Sequence, residues 1–265
     1  MFNATLYKRE MKKSLPMLLI FGAVMTMYLS IIIGMYDPEL MKSLDEWVDL
    51  LPGIMAAVGM QAGATSLLGF MSSYLYGFIL ILFPMIFSIL RGNALIAKYV
   101  DNNSMVSLVA APIKRRAIAF TQMKVLASGI FALVLYATAV ELVCSAQFSG
   151  ALDIGKLFTL NAGLLCLQLF IGGICFLSSC LFGDTKHSIA VGAGIPTLMY
   201  ILKMLSNTGE AAEKIKYFTF FTFFDPEGII AGGTGPIIGI LVLLIGAIAL
   251  FAAALAVFSK KDLHI

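Results

Sequence analysis

Charged side chains are almost absent from the long apolar stretches of this chain, which limits the chemistry that it can do. A charge in hydrocarbon costs at least about 2.5 kcal/mol and usually serves a transported ion or a proton relay. Glu141 lies about one helical turn from the outer end of the third stretch, where we expect it to reach the interface. We expect Lys203 to extend its flexible stem to the interface in the same way. The sequence therefore favours a mechanism that does not depend on a buried ion.

The residue types that carry catalysis or bind metals occur without the spacing that either function needs. His187 lies in a short turn and His264 near the end of the chain, and neither has partners that would indicate catalysis or metal binding. The glycine-rich run at residues 232–235 lacks the lysine of a phosphate-binding loop. We therefore expect no enzyme, cofactor or metal in this chain, and we expect any ATP and Mg²⁺ to be bound by a different subunit. The four cysteines lack metal-ligand spacing and are interpreted as small apolar side chains: Cys144, Cys166, Cys175 and Cys180.

The composition is typical of a polytopic membrane protein. Of the 265 residues, 60% are hydrophobic and 12% are charged, whereas about a quarter of the residues of a soluble domain are charged. A helix needs about 20 apolar residues to cross a bilayer. We expect an all-α protein in which residues 1–265 form one transmembrane domain. The predicted spans are residues 17–36, 67–90, 117–144, 157–182, 188–204 and 236–258.

The basic residues predict how the six spans are oriented. Lysine and arginine near the ends of spans stay on the cytoplasmic side. An even number of spans puts both termini on one side, and that side holds thirteen of the 18 basic residues. Both termini are therefore predicted to be cytoplasmic. The formal net charge of +3 reflects this topology and is not a sign of nucleic-acid binding.

An amphipathic segment precedes the first span. Residues 1–15 carry apolar side chains at helical spacing with basic side chains between them, including Lys8 and Lys12. Such a helix usually lies on the inner leaflet, and Pro16 is expected to separate it from the first span. A second interpretation, left open, is that this helix also contacts a cytosolic partner.

The strongly basic loop at residues 91–124 has the pattern of a small docking element. Residues 101–104 are typical of a turn, with Ser104 as the N-cap of a short helix. That helix, residues 105–111, has fewer than two turns before Pro112. It is too short to be stable unless it docks on something. The alternative is a connector that is solvated at the membrane surface by its basic ends.

Two outer segments are predicted to lie against the bundle or the membrane. Residues 37–66 contain an amphipathic helix with Trp47 at headgroup level. The aromatic block at residues 217–226 is too short and too interrupted to span, so we expect it to fold back and cap the outer mouth. Pro84 and Pro196 interrupt spans 2 and 5, where neighbouring groups must satisfy the freed backbone groups.

The order of these motifs resembles one known family, the exporter-type (type 2) ABC transporter permeases, which are six-span subunits that pair with a separate ATPase. The family's central loop typically runs from paired acids to Gly-Thr-hydrophobe, Leu-Leu, Pro-hydrophobe-Ser-Arg and a later Lys. The family's pattern before span 6 and its closing basic-Asp-Leu resemble residues 218–226 and 260–263 of this chain. The corresponding loop residues here are Asn103-Ser104-Met105, Leu108-Val109, Pro112-Ile113-Lys114-Arg115 and Lys124.

The chain departs from the family pattern in two places. Asn103 stands where the family has glycine, which is a mild change because asparagine also tolerates left-handed backbone. The paired acids are missing, since Tyr99 and Val100 occupy their positions and only Asp101 is nearby. This removes the basis for an acid-mediated contact with the ATPase.

The resemblance implies a dimer of like or unlike permeases in a bacterial plasma membrane, driven by paired cytosolic ATPases. It implies that the short helix and the N-terminal segment dock on those ATPases and pass their closure to the spans. The apolar wall favours a hydrophobic or amphipathic cargo, such as a compound, a peptide or a lipid. The residues assigned to ATPase contact are Lys8, Lys12, Asp101, Asn102, Asn103, Ser104, Met105, Ser107, Leu108, Pro112 and Arg115, and those assigned to the pathway or its gate are Glu141, Phe221, Phe224, Asp225 and Pro226.

Two other classes of protein are left open by the residues alone. A secondary transporter or channel would use Glu141 and the outer acids for its coupling ion, and it would work without ATP or a partner. A membrane scaffold or sensor subunit would bind a partner through the loop without moving any cargo. A Walker-type ATPase encoded beside this reading frame would favour the permease.

Overall fold

The computed structural model describes most of the chain, and every regular element in that part is helical. The predicted interfacial helix around Trp47 lies outside the described residues, as does the predicted short helix beyond Met105, with Ser107, Leu108 and Pro112. The described residues are 2–37, 50–57, 66–105, 114–148, 152–208 and 210–261.

Six helical stretches are long and apolar enough to cross a membrane, with mean hydropathy between 1.5 and 3.0. The chain is therefore a multi-pass helical membrane protein. Each of the six predicted spans overlaps one of these stretches, with residues 35–36 and residue 182 lying beyond the helix ends. The helices are α1 Ala4–Gly34, α2 Pro52–Ala57, α3 Leu67–Met71, α4 Leu80–Leu95, α5 Ala97–Asp101, α6 Arg115–Ser145, α7 Ile154–Leu181, α8 Thr185–Ser206, α9 Pro226–Ile230 and α10 Thr234–Lys260. A π-helix, Ser72–Ile79, joins α3 to α4, and two 3₁₀ helices, Glu210–Phe218 and Phe220–Phe223, precede α9.

Helix α1 runs without interruption through Pro16, so the expected boundary between an interfacial helix and the first span is wrong. The N-terminal part of α1 is packed along α6. The backbone N–H of Asn3 donates to Thr121 Oγ1 at 3.1 Å, and the Tyr7 hydroxyl donates to Ser128 Oγ at 2.9 Å. These contacts hold the first turns in line with the span, which offsets the hydrogen bond that a proline removes from a helix.

The ends of the bundle differ in composition. We call one the basic end, where the start of α1 meets α6 and where Arg115 Nη1 donates to the carbonyl of Lys261 at 3.4 Å. We call the other the aromatic end, where Tyr36 packs on Phe148 and Tyr76 packs on Phe224. The described ends of the chain lie together at the basic end, as an even number of spans requires.

Helix α7 is the most buried of the six long helices. Its polar side chains hydrogen-bond to backbone groups of neighbouring helices that lack a partner within their own helix. Pro84 has no N–H to give to the carbonyl of Leu80, and Gln168 Nε2 donates instead to the carbonyls of Leu80 at 3.4 Å and Ile81 at 2.9 Å. This confirms the expectation that neighbouring groups compensate for the proline in span 2.

Two further breaks in helical hydrogen bonding are repaired from the same face of α7. Pro196 leaves the carbonyl of Gly192 without its helical donor, and Cys175 Sγ donates to it at 3.1 Å. At the break between α4 and α5, Ser179 Oγ accepts from the backbone N–H of Ala97 at 2.8 Å. A side chain inserted into a helix ladder in this way is a known cause of a bend.

The pairing of Gln168 with Pro84 can be tested with a double-mutant cycle. In the wild-type background, Gln168→Leu leaves buried carbonyls without a donor and is expected to lower the free energy of unfolding by about 0.5–2 kcal/mol. In a Pro84→Ala background, the restored N–H can bond the carbonyl of Leu80, so the same substitution is expected to cost less. Thermal unfolding of the four purified proteins in detergent measures the difference, and an equal cost in both backgrounds would contradict the pairing.

Candidate functional site

A polar cavity of about 300 Å³ opens at the aromatic end. The π-helix, the end of α8 and the turn before α9 form its walls. π-helical turns often occur at functional sites, because the extra residue per turn shifts side chains out of register. The side chains that give the cavity its charge and its floor are Tyr76, Lys203, Lys216, Phe224, Asp225 and Glu227.

The aromatic block between α8 and α10 folds back against the bundle, as the sequence predicts. Phe221 and Phe224 are fully buried. The Phe221 ring packs edge-on to Tyr200 with centroids 5.4 Å apart, and Thr219 Oγ1 donates to the carbonyl of Met199 at 2.9 Å. Gly239 of α10 passes so close to the backbone of Phe223 that a Cβ would overlap it. The block is therefore wedged between α8 and α10.

The Asp225-Pro226 pair of the predicted gate has a local structural role. Asp225 is the N-cap of α9, and its carboxylate accepts from the backbone N–H of Gly228 at 3.1 Å. Pro226 occupies the first turn of α9, where its missing N–H costs nothing. The carboxylates of Asp225 and Glu227 line the same cavity as the ammonium group of Lys203. Lys203 is half-buried in this lining.

Glu141 lies behind this cavity and is fully buried, which overturns the expectation that it reaches the interface. Its Oε2 accepts from the Tyr76 hydroxyl at 3.1 Å and from Asn161 Nδ2 at 2.7 Å. The physical reason is the face of α6 on which it lies. Ala137 and Ser145, one turn before and one turn after, are both buried against neighbouring helices.

The group formed by Tyr76, Glu141 and Asn161 retains unused acceptors. Glu141 Oε1 and Asn161 Oδ1 are buried and accept no hydrogen bond from the described residues. Buried acceptors without donors are uncommon and often mark a place where a water, a proton or a ligand binds. Because Tyr76 both lines the cavity and donates to Glu141, it connects the polar floor of the cavity to the buried carboxyl group.

An ionic cluster organises the basic end. Arg91 Nε donates to Ser14 Oγ at 2.6 Å, and Arg91 Nη2 lies 3.2 Å from Glu10 Oε2. Glu10 Oε1 accepts from Lys13 at 2.9 Å and from the Tyr99 hydroxyl at 2.7 Å. Buried charges are tolerated when they are paired and hydrogen-bonded in this way. The cluster joins α1 to the end of the second span.

The loop residues predicted to contact an ATPase follow this cluster directly in sequence, whereas Lys8 and Lys12 lie on α1 on either side of Glu10. Asn103 has φ of 55°, which confirms that its position requires left-handed backbone. Met105 is fully buried within the chain itself, so its side chain is part of the core and not of an exposed contact surface. The exposed members of the predicted set are Lys8, Lys12, Asp101, Asn102, Asn103, Ser104 and Arg115.

His187 pairs with Asp184, three residues before it in the sequence. Asp184 is the N-cap of α8, and its carboxylate lies 2.7 Å from His187 Nδ1. Hydrogen bonds from the backbone N–H and the imidazole of His187 lower the pKa of Asp184. Both side chains are solvent-accessible, and within the described residues no three His, Cys, Asp or Glu side chains form a metal-binding group. The pair is a helix cap.

Comparison with known proteins adds no family assignment. No protein-family model matches the sequence, and no curated protein matches it as a relative. The candidate site therefore stands on its own geometry.

The sequence predicted where the site lies but not all of the side chains that form it. It named Glu141, Phe224 and Asp225, which lie in or behind one cavity, but it did not name Tyr76 or Asn161. A signal for Asn161 was present. Asn161, Gln168 and Cys175 are spaced by seven residues along α7, which places three polar side chains on one face of an otherwise apolar span.

The hydrogen-bonded role of Glu141 predicts different outcomes for two substitutions. Glu141→Gln keeps an acceptor oxygen for Tyr76 and Asn161, so the melting temperature is expected to stay close to that of the wild type. Glu141→Ala leaves the buried Tyr76 hydroxyl without this acceptor and leaves Asn161 Nδ2 with only the carbonyl of Leu157, which is expected to cost about 1–3 kcal/mol. Thermal unfolding in detergent measures both, with Val143→Ala on the exposed face of α6 as the control. Equal stability of the Gln and Ala variants would contradict the role.

Proposed function

We propose that this chain is the membrane-spanning permease subunit of an ATP-driven exporter, with both termini in the cytosol of a bacterial cell. Two permease subunits, like or unlike, form the pathway in the plasma membrane. A separate cytosolic ATPase binds ATP and Mg²⁺ and supplies the energy.

The observation that carries this proposal is the turn at residues 101–105. Its left-handed residue is Asn103, at the position where the resemblance to type 2 permeases expects glycine. Few non-glycine residues adopt this conformation, and asparagine is among those that do. Asn103 therefore has a backbone conformation that glycine adopts readily. The geometry agrees with the family motif although the residue differs.

The connection between this turn and the bundle supports mechanical coupling. Tyr99 lies one turn before Asn103, and its hydroxyl donates to Glu10 of α1. Arg91 ties the same span to α1 a further two turns away. A force applied to the turn from the cytosol would move α1 and the second span together, because the ion pair between them, Arg91–Glu10, is buried.

The cavity at the aromatic end favours an amphipathic cargo over a purely hydrophobic one. Lys203 and Asp225 bring opposite charges to its lining, while the exposed faces of α1 and α10 are apolar. A cargo with a polar head and an apolar body, such as a lipid or an amphipathic peptide, matches both surfaces.

The proposal predicts that Asn103→Gly and Asn103→Val differ in coupling but not in packing. Asn103 is exposed, so neither substitution removes a buried contact. Glycine adopts the left-handed conformation freely, whereas a β-branched residue there is strained by roughly 1–2 kcal/mol. We expect the wild type and Asn103→Gly to co-purify from native membranes with a Walker-type ATPase and to hydrolyse ATP, and Asn103→Val to lose most of both.

Thermal unfolding provides the control for this experiment. A cooperative unfolding transition for both variants, with Asn103→Val lower in melting temperature by no more than the strain of roughly 1–2 kcal/mol requires, would show that the bundle is intact, so that any loss reflects the turn. Cargo export by the purified chain in liposomes without an ATPase would contradict the proposal.

A second function, a proton-coupled secondary transporter, is favoured by one observation. Glu141 is a fully buried carboxyl group with an unused oxygen, connected through Tyr76 to an open cavity. Such a group is suited to carry a proton. Under this alternative, liposomes that contain only this chain and a pH-sensitive dye dissipate an imposed pH gradient faster than empty liposomes, and Glu141→Gln removes the difference. The permease proposal expects no difference between the two kinds of liposome.

A further inference from the structure

A second cavity, of about 470 Å³, lies at the basic end between the first turns of α1 and the end of the second span. This volume is within the range of about 300–1,000 Å³ that holds small ligands. We call it the basic pocket, and its charged lining comprises Arg9, Glu10, Lys13, Arg91 and Lys98.

The basic pocket carries an excess of positive charge. Glu10 is its one acid, and both oxygens of Glu10 are already occupied, Oε1 by Lys13 and Tyr99 and Oε2 by Arg91. Arg9 and Lys98 form no ion pair with any described residue. Four cations against one acid leave a net charge of +3 around one concave surface, which attracts anions.

The centre of the pocket is rigid. The side chain of Arg91 is 8% exposed, and it is held by Ser14 Oγ, by the backbone carbonyl of Glu10 at 2.8 Å and by the Glu10 carboxylate. A guanidinium group fixed in this way loses little further entropy on binding, and its planar donors match the oxygens of a phosphate. Arg9 and Lys98 extend from two different helices around it and can close on the same anion.

The face of α1 that carries the pocket continues as an apolar stripe. Ile20 follows Lys13 by seven residues and Arg9 by eleven, so the three side chains lie on one face of the helix. Met27 and Ile31 extend this face along the span, and Ile20, Met27 and Ile31 are all more than half exposed. A phospholipid with its phosphate among the basic side chains would lay an acyl chain along this stripe.

We propose that the basic pocket binds the phosphate of an anionic phospholipid, whose acyl chain lies along Ile20, Met27 and Ile31. Basic pockets between spans on the cytoplasmic side are suited to acidic head groups. Lys8 and Lys12, which are assigned to the ATPase, do not line the pocket. It does not depend on the proposed transport function, since it concerns only how the chain holds a lipid.

Binding can be measured with purified, delipidated chain by native mass spectrometry and by the shift in melting temperature. The probes are phosphatidylglycerol and, as the zwitterionic control, phosphatidylcholine. We expect phosphatidylglycerol to be retained and to raise the melting temperature, with weaker effects from phosphatidylcholine. The double variant Arg9→Gln/Lys98→Gln is expected to bind phosphatidylglycerol about tenfold more weakly.

The matched control removes the same charge elsewhere at the basic end. Lys8→Gln/Lys186→Gln replaces two exposed cations that do not line the pocket, and it is expected to bind phosphatidylglycerol like the wild type. An equal loss of binding in both double variants would overturn the proposal, because overall charge and not the pocket would then explain binding. The melting temperature without lipid confirms that the variants fold, which is expected because all four side chains are exposed.

Inorganic phosphate distinguishes a lipid from a free anion. The acyl stripe should make phosphatidylglycerol bind far more tightly than inorganic phosphate. If inorganic phosphate stabilises the wild type to the same extent at the same concentration, the assignment to a lipid is wrong. Ile20→Ser, on the exposed stripe, is expected to weaken binding of the lipid and leave any effect of inorganic phosphate unchanged.

Discussion

The fold depends on one constraint, which is that a helix inside a membrane must satisfy every backbone polar group without water. Helix α7 meets this constraint for its neighbours. Gln168 and Cys175 donate to the carbonyls that Pro84 and Pro196 leave free, and Ser179 accepts the N–H at the break in the second span. Helix α7 therefore contributes both apolar core side chains and a line of hydrogen-bonding side chains. We call this line the polar row: Asn161, Gln168, Cys175 and Ser179.

The polar row explains why irregular helices can line the candidate site at the aromatic end. Proline and π-helical turns weaken a span, and they are tolerated where a neighbour supplies the missing partner. Asn161, at the aromatic-end position of the row, has no broken backbone to repair, and it binds the carboxyl group of Glu141 instead. The same face of α7 therefore satisfies interrupted backbone hydrogen bonding at Gln168 and Cys175 and contributes Asn161 to the polar site.

The second span connects the two ends of the molecule. Tyr76 lies at its aromatic end, in contact with Glu141 and the polar cavity. Arg91 and Tyr99 lie near its basic end, bound to Glu10 of α1. Between them the span is held by Gln168. The second span is therefore fixed by side-chain contacts near both ends and near its centre.

Much of the architecture could be predicted from the sequence because hydropathy is a local property. Six apolar stretches of sufficient length predict six spans, and the described part of the structure contains six helical stretches of this kind. The aromatic block was expected to fold back because it is too short to span, and Phe221 and Phe224 are buried accordingly. The sequence did not predict that α1 continues through Pro16, because the contacts of its first turns are with α6, more than a hundred residues away.

What the sequence by itself determined was the class of protein, its six spans and the residues at which polar chemistry is available. These follow from local composition, since each span must be apolar enough to enter a bilayer whatever its neighbours are. The tertiary structure alone decided which polar residues meet. Glu141 is buried against Tyr76 and Asn161, and Glu10 against Arg91, because packing turns particular helix faces towards each other. No local pattern specifies that choice, since the same side chain could equally face lipid, water or a partner.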